Sequence, residues 1–335
     1  MNSTESNQEG SFEVPRDISG NTFLVTGGAG FVGSHIVEFL LKARAKKVRV
    51  LDNLATGFHK NIEPFSAYEA FEFQEGDIRN YEDCAKACEG IEYVSHQAAL
   101  GSVPRSVKDP VTTNEVNVSG FVNMITAAKN ARVKSFVYAS SSSVYGDEPN
   151  LPKVEQRLGN PLSPYAVTKK TNEVYAAVFG KLYGLKTIGF RYFNIFGPRQ
   201  DPHGAYAAVI PLFIDGILKG TPVYINGDGG QTRDFTYVDN AVQANVRGML
   251  CTNDEAFGEA YNIAVGENFS VNFLYESIRT ILGKEHEATY REEREGDIRN
   301  SLADISKAER LLGYKPTRRF MDGLEITVGF FTESK

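Results

Sequence analysis

The sequence predicts an α/β protein: a doubly wound parallel sheet followed by a smaller, mixed α/β substrate lobe. Three observations carry that expectation. Short apolar runs alternate with stretches of helical periodicity between residues 22 and 192, and repeated β-α-β alternation implies a parallel sheet with helices on both faces. The first apolar run ends in a glycine cluster that opens a helix. After residue 195 the texture changes, and Gly, Pro and Asn become dense in FGPRQDPHG, NGDGGQTRD and VGENFS.

The elements follow in order. Residues 1–17 are polar and acidic and read as a disordered or loosely held arm. TFLVT (22–26) is a strand. Residues 31–43 carry helical periodicity through Val32, Ile36, Phe39 and Leu40. KVRVLD (47–52) is a second strand, FEFQEGD (71–77) alternates, and 81–89 is helical. Strand 91–96, helix 113–130 and strand 135–140 come next, then helix 164–183 and strand 185–192. The expected organisation is therefore a dinucleotide-binding domain over 18–195 and a loop-rich substrate lobe over 196–335. Excursions of the later chain back to the sheet are allowed for.

Composition limits the function. The chain has 335 residues and a net charge of −6, with 41% apolar and 23% charged residues. These are ordinary globular values, unlike those of disordered or collagenous chains. An acidic balance argues against a broad nucleic-acid footprint, which needs a basic face. Cys84, Cys88 and Cys251 are too few for a disulfide framework. No second Cys/His pair follows Cys84 and Cys88 at ligand spacing, so no metal site is expected. The N-terminus lacks the basic start and apolar stretch of a signal peptide. The longest uncharged window, Ile18–Val37, holds five glycines and does not read as a membrane span. A cytoplasmic protein is expected.

Residues 26–33 read TGGAGFVG, with Gly27, Gly30 and Gly33 in the spacing G-x-x-G-x-x-G after a strand and at a helix start. Glycine admits a pyrophosphate close to the backbone, and the helix N-terminus offers free N–H groups. Asp52 ends the next strand, 19 residues after Gly33, which suits a ribose 2′-hydroxyl and repels a 2′-phosphate. This is a Rossmann dinucleotide site, and NAD is favoured over NADP. Asn53 follows Asp52. Asp77 and Ile78, after the third strand, fall near the adenine in such a sheet, although a strand-end turn explains Asp77 as well.

Strand 135–140 runs into four serines, Ser140, Ser141, Ser142 and Ser143, and then VYG. SPYAVTK (163–169) follows. Ser163 can cap a helix and Pro164 suits its first position, which puts Tyr165 and Lys169 one turn apart on one face. A phenol of pKa about 10 is only about 0.1% ionised at pH 7, so its use as a base requires about 4 kcal/mol of phenolate stabilisation. A neighbouring ammonium and a cationic nicotinamide ring can supply it.

With these residues in view, TGGAGFVGSH, HQAA (96–99), SSSVYG and YAVTK resemble the extended short-chain dehydrogenase/reductase superfamily. RYFNIFGPRQDP (191–202), VYINGDG (223–229), RDFTYVDN (233–240) and EGDIRNSLAD (295–304) resemble its nucleotide-sugar enzymes, above all the bacterial UDP-N-acetylglucosamine and UDP-N-acetylglucosaminuronate 4-epimerases of surface-polysaccharide synthesis. The resemblance spans roughly residues 20–325. It adds Phe31, Val32, Gly57, Gln97, Ala98, Ala99, Asn117 and Tyr192 to the NAD contacts already named, with Ser140, Tyr165 and Lys169.

The superfamily's 4,6-dehydratases carry an Asp-Glu pair just before VYG, and its UDP-glucuronate decarboxylases a Glu. Here those positions are Ser141, Ser142 and Ser143. Without a carboxyl group there is no obvious acid for water elimination, and simple oxidation and reduction at C4 fits better. The resemblance implies Tyr165 as the base at the C4 hydroxyl, bridged by Ser141 or Ser142, with Lys169 lowering its pKa. The 4-keto sugar turns over, and tightly held NAD is recycled.

On the substrate side the resemblance implies Arg233 and Arg299 at the UDP diphosphate, with Asn194 beside them and Arg199 as a weaker candidate. Val209, Tyr224 and Ile225 match uracil-binding segments, and Asp297 a ribose contact. Family members confined to non-acetylated hexoses tend to carry Tyr where this chain has Ser301, so room for an N-acetyl group is expected. Ser102, Arg105 and Ser106 fall near the sugar, and Arg105 suits either a C6 carboxylate or the acetyl carbonyl. A homodimer through helices 113–130 and 164–183 is implied too. The alternative of another class, a non-catalytic NAD sensor or scaffold, typically lacks the Tyr or Lys that this chain retains.

Overall fold

A computed structural model describes residues 12–204, 207–293 and 299–333. Its centre is a seven-stranded, all-parallel sheet. Six strands come from the first part of the chain: β1 (Thr22–Thr26), β2 (Lys47–Asp52), β3 (Phe71–Glu75), β4 (Tyr93–His96), β5 (Ser135–Ser141) and β6 (Thr187–Tyr192). They lie in the order β3-β2-β1-β4-β5-β6, and a seventh strand, Glu259–Ile263, adds to β6. The order reverses at β1, which pairs with both β2 and β4. A crevice outside the carboxyl ends of the strands is the place for a ligand in such a sheet.

Both faces of the sheet are buried, which is why its strands read as apolar runs rather than as alternation. On one face Ile36, Val37 and Leu40 of the helix Phe31–Lys42 meet Val242 and Val246 of the helix Val238–Met249. On the other, Cys84, Ala87, Phe121, Ile125 and Ala176 pack from the helices Tyr81–Cys88, Gly120–Asn130 and Pro164–Tyr183. Cys84 and Cys88 are buried thiols in this layer. A separate core holds the second lobe, with Ile214 and Ile217 of Val209–Lys219, Leu274 and Ile278 of Val271–Leu282, and Leu324 of Phe320–Glu333.

Three features differ in detail from the sequence reading. Of the expected loose arm, the described residues from Phe12 onward are docked: Phe12 stacks on Phe39 at 4.5 Å, and Arg16 donates to the Tyr93 hydroxyl at 2.6 Å. The Phe12 ring finds a partner on the helix Phe31–Lys42 and the Arg16 cation one at the start of β4, and polarity alone did not reveal that. Helix Val238–Met249 and strand Glu259–Ile263 lie beyond residue 195 yet complete the first domain's sheet and one of its helical layers. The expected helix 113–130 is three pieces: Pro110–Asn114, a π turn over Glu115–Ser119, and Gly120–Asn130. No helix among the described residues is long and apolar enough to cross a membrane.

Candidate active site

The turn after β1 is shaped by glycine. Gly27 has φ of +67°, and a Cβ there would lie 2.7 Å from the Ala98 nitrogen. A Cβ on Gly33 would lie 2.1 Å from the Gly27 carbonyl, so the helix packs onto the turn only without side chains. The helix starts after Gly30 with no side-chain cap, leaving first-turn N–H groups for an anion. Asp52 accepts from the Ala29 nitrogen at 2.9 Å and the Leu54 nitrogen at 2.8 Å. Burial raises its pKa, and these two N–H groups oppose the shift.

Around this turn lies a cavity of about 580 Å³. Every cofactor residue expected from the sequence lines it except Asn117. Glycine turn, strand-end carboxylate and cavity together fit a dinucleotide. Asp77 reaches it from β3's end, bound by Arg79 at 2.7 Å and by Asn53 at 2.9 Å. Arg79 above all holds the Asp77 carboxyl down at about 2. Arg79 itself lines the cavity and was missed, although it stands two residues from Asp77.

Asn117 does not line the cavity. It is buried, and its side chain bonds the Leu100 backbone twice and the Thr168 hydroxyl once. It lies in the π turn Glu115–Ser119 and ties the loop after β4 to the helix that carries Tyr165. Ser140 lines the cavity, but its hydroxyl donates to Glu173 at 2.7 Å.

The reactive pair sits at the mouth of β5. Ser163 accepts from the Ala166 nitrogen and Pro164 opens the helix, as the sequence predicts, so Tyr165 and Lys169 face the strand end together. Ser141 hydrogen-bonds the Tyr165 phenol. Burial raises the phenol's pKa, and the Ser141 bond opposes this. Lys169 is buried, donates to the Ala139 carbonyl at 2.8 Å, and lies 5.9 Å from the centre of the Tyr165 ring. Burial brings its ammonium down to about 8. The same burial, with the Lys169 charge next, takes His96 to about 3, so that imidazole stays neutral.

Of the other serines, Ser142 and Ser143 do not line the cavity. They turn into a short 3₁₀ helix, where the Ser143 nitrogen bonds Ser141 and the Ser143 hydroxyl is buried without a partner. Under the cavity, Gln97 and Tyr192 share a neutral network with Asn245. Asn245 donates to the Tyr192 hydroxyl at 2.6 Å, and Gln97 donates to Asn245 at 2.9 Å. Asn245 was missed because it lies far along the chain, in a helix with no local signal of a site.

A second cavity of about 280 Å³ is lined by Asn194, Val209, Tyr224, Ile225 and Arg233, five of the expected substrate residues, and by Gln200, Asn226 and Gln231. Tyr192 lines the first cavity and Asn194 the second, so the two meet at the end of β6. Arg233 donates to the Thr232 and Arg299 carbonyls. Ser301 is half-buried beside it, with its nitrogen bonded to the Thr232 carbonyl at 3.1 Å. Asp297 lies outside the described residues.

Four of the residues expected on the substrate side line neither of these two cavities. Arg299 does not line the cavity; its exposed guanidinium pairs with Asp228 at 2.8 Å and Glu293 at 3.2 Å. Arg199 pairs with Glu38 of the helix Phe31–Lys42. Ser102 spends its hydroxyl capping the helix Val103–Lys108 by accepting from Arg105, and Arg105 sits half-buried in that first turn; neither lines either cavity. The contact this motif does make is through Ser106, whose buried hydroxyl accepts from the Tyr165 nitrogen at 3.0 Å.

Comparison with known proteins follows this geometry. Residues 23–264 match the NAD dependent epimerase/dehydratase family. The UDP-glucose 4-epimerase of Mycolicibacterium smegmatis is 38% identical, over 92% of this chain and 97% of its own. The solved UDP-N-acetylglucosamine 4-epimerase of Methanobrevibacter ruminantium, in complex with UDP-N-acetylmuramic acid, superposes with a TM-score of 0.89 at 39% identity, covering 94% and 99% of the two chains. The UDP-glucuronic acid 4-epimerase of Bacillus cereus, solved with UDP-glucuronic acid and NAD, gives 0.86 at 33% identity, covering 94% and 100%.

Proposed function

The chain belongs to the NAD dependent epimerase/dehydratase family, and from that premise we propose that it is a 4-epimerase interconverting UDP-GlcNAc and UDP-GalNAc. The observation that carries the reading is the Ser141–Tyr165–Lys169 group at the end of β5, with serine at 141, 142 and 143 and no carboxyl group in the run. That set can move one proton at one hydroxyl and lacks an acid for elimination. The Tyr165 phenolate takes the proton of the C4 hydroxyl on its oxygen while Ser141 holds the same oxygen. Lys169 offsets the charge of the phenolate through space. NAD held along Gly27, Gly30, Asp52 and Asp77 would accept hydride from C4 and give it back to the 4-keto carbon. Asn194, Val209, Tyr224, Ile225 and Arg233 grip the UDP, which leaves the sugar free to present its other face. The presence of both Tyr165 and Lys169 speaks against the scaffold reading.

Ser301 supports the N-acetylated substrate, since it is small and lies beside Arg233. The UDP-N-acetylglucosamine 4-epimerase relative supports it as well. A uronate substrate, UDP-GlcNAcA, is the second reading. It rests on Arg105, which adjoins the residue that binds the Tyr165 nitrogen. The product would feed surface polysaccharide. A homodimer is supported by an apolar stripe on the helix Pro164–Tyr183, where Val167, Val174, Val178 and Leu182 are 50%, 54%, 43% and 66% exposed. Such a stripe marks a contact surface.

The test is NMR of the purified protein with UDP-GlcNAc, UDP-GlcNAcA and UDP-glucose, without added NAD. The C4-inverted sugar should appear, fastest from UDP-GlcNAc. No conversion of any of the three, with NAD added, would refute the epimerase reading.

A further inference from the structure

Asp234 stands between Arg233 and Phe235, both of which line the second cavity, yet it is 0% exposed. Its described partners are three main-chain N–H groups from two distant segments. It accepts from the Val265 and Gly266 nitrogens, each at 3.1 Å, and from the Ala303 nitrogen at 3.3 Å. Burial pushes its pKa up to about 6, and those three N–H groups resist the shift. A buried carboxylate is a costly acceptor. It is also the side chain that can take three N–H groups at once without presenting a donor to any of them.

The three contacts join segments distant in sequence, beside the bond from the Asn262 amide of the sheet's seventh strand to the Asp304 carbonyl at 3.0 Å. Val265 and Gly266 follow the strand that completes the central sheet. Ala303 belongs to the segment that carries Arg299 and Ser301. That segment runs beside Thr232, whose nitrogen bonds the Arg299 carbonyl at 2.9 Å and whose carbonyl accepts from the Ser301 nitrogen at 3.1 Å. The Thr232 hydroxyl donates to the Asn300 side chain at 3.0 Å. The Asp234 carbonyl accepts from the Asn194 amide at 3.0 Å. Asn194 and Arg233 therefore flank a residue that pins the wall carrying Ser301 to the sheet.

The geometry points to Asp234 as a positioning residue for the UDP-sugar: its carboxylate seats the 299–304 segment against the Arg233 strand and so assembles the diphosphate and sugar walls together. Asp234 does not touch the reacting atoms, so its loss should weaken substrate binding and spare the chemistry. This rests on the UDP-sugar reading above, and binding of UDP is therefore measured apart from turnover.

The experiment is calorimetry of the NAD-loaded protein with UDP and with UDP-GlcNAc, together with steady-state kinetics, on wild type and Asp234→Asn. Asparagine keeps one acceptor oxygen and turns its NH₂ toward a main-chain N–H. Kd and KM should rise about ten- to hundred-fold, the scale of one or two lost hydrogen bonds to a charged group, while kcat changes less than about threefold at saturation. Unchanged Kd, or a fall in kcat at constant KM, overturns the proposal. Should Asp234→Asn fail to fold, Thr232→Val decides. It removes the exposed-side tether to Asn300 and should raise Kd for UDP about threefold, one modest hydrogen bond; an unchanged Kd overturns the proposal. Wild type that binds neither UDP nor UDP-GlcNAc would instead refute the substrate reading, and that outcome is distinct from a variant that binds as wild type does.

Discussion

Replacing Lys169 by Met removes a buried charge and keeps most of the side-chain volume. Its Nζ lies 5.9 Å from the Tyr165 ring centre. Two unit charges at that separation interact by about 3 kcal/mol at an effective dielectric of 20, which is about two decades in the population of the phenolate. At pH 7 kcat should therefore fall about a hundredfold. The shape of the pH profile should change too. In wild type the working form pairs a phenolate with an ammonium. Lys169 is held down to about 8 and Tyr165 is pushed above its ordinary value, both by burial. The population of that form rises tenfold per pH unit up to about 8, and then stays level because the gain in phenolate is cancelled by the loss of ammonium. In Lys169→Met nothing cancels the gain, and kcat should go on rising past pH 9. The assay is kcat from pH 6 to 10 by NMR of the two sugars, with NAD content measured on the same samples. Less than a fivefold loss with NAD retained, or a variant profile that levels where wild type does, would refute this coupling.

Other variants probe other parts. Ser301→Tyr should cut kcat/KM for UDP-GlcNAc at least about ten times more than for UDP-glucose, as a filled pocket discriminates by about 1–3 kcal/mol; equal losses on the two sugars would remove Ser301 as the reason for N-acetyl acceptance. Leu182→Asp, at an exposed position, should weaken self-association at least about a hundredfold, given about 1.5 kcal/mol or more for each of two buried leucines. Light scattering after gel filtration would show a monomer, and an unaltered mass would place the contact elsewhere. Arg191→Met takes the bidentate partner at 2.8 Å from the buried Glu173 and leaves it the Lys170 ammonium at 3.5 Å and the Ser140 hydroxyl, and it should lower unfolding free energy by about 3 kcal/mol in urea titrations; a loss below about 1 kcal/mol would mean that Lys170 and water replace the pair.

The parts of the site that the sequence revealed are those fixed by local geometry. Gly27, Gly33 and Asp52 belong to one strand-turn-helix-strand unit, and Ser163, Pro164, Tyr165 and Lys169 to one helix start, so spacing alone brings each set together. What was missed or misplaced depends on partners remote in the chain. Ser106 supports Tyr165 from 59 residues away, and Asn245 supports Gln97 from 148. Arg299 and Arg199 match diphosphate-binding positions, but Asp228, Glu293 and Glu38 take their guanidinium groups. Asn117 likewise bonds partners remote in the chain, the Leu100 backbone and the Thr168 hydroxyl. The excursion of the later chain back to the sheet, which the sequence reading allows for, falls at 238–263. Loop-rich sequence after residue 195 marks a new lobe, yet the apolar positions of 238–263 are spaced for the old sheet.

The buried carboxylates around the site bear on the choice between epimerisation and elimination of water. Elimination needs a carboxyl group free to exchange a proton with the sugar. Glu173 comes nearest in connection, since it accepts from Ser140, one residue before Ser141. Burial pushes it up, but Arg191, bonded to both of its oxygens at 2.8 and 3.0 Å, outweighs burial and keeps it ionised. An acid held ionised by a bidentate guanidinium is a poor proton donor. Asp52 is engaged by the Ala29 and Leu54 nitrogens, and Asp234 by three N–H groups. Each of these carboxylates is thus committed to holding backbone or a cation in place. On the proposed mechanism the Tyr165 phenol, beside Ser141 and Lys169, trades the proton while NAD would take and return the hydride, a set that suits oxidation and reduction at one carbon better than loss of a hydroxyl from the next.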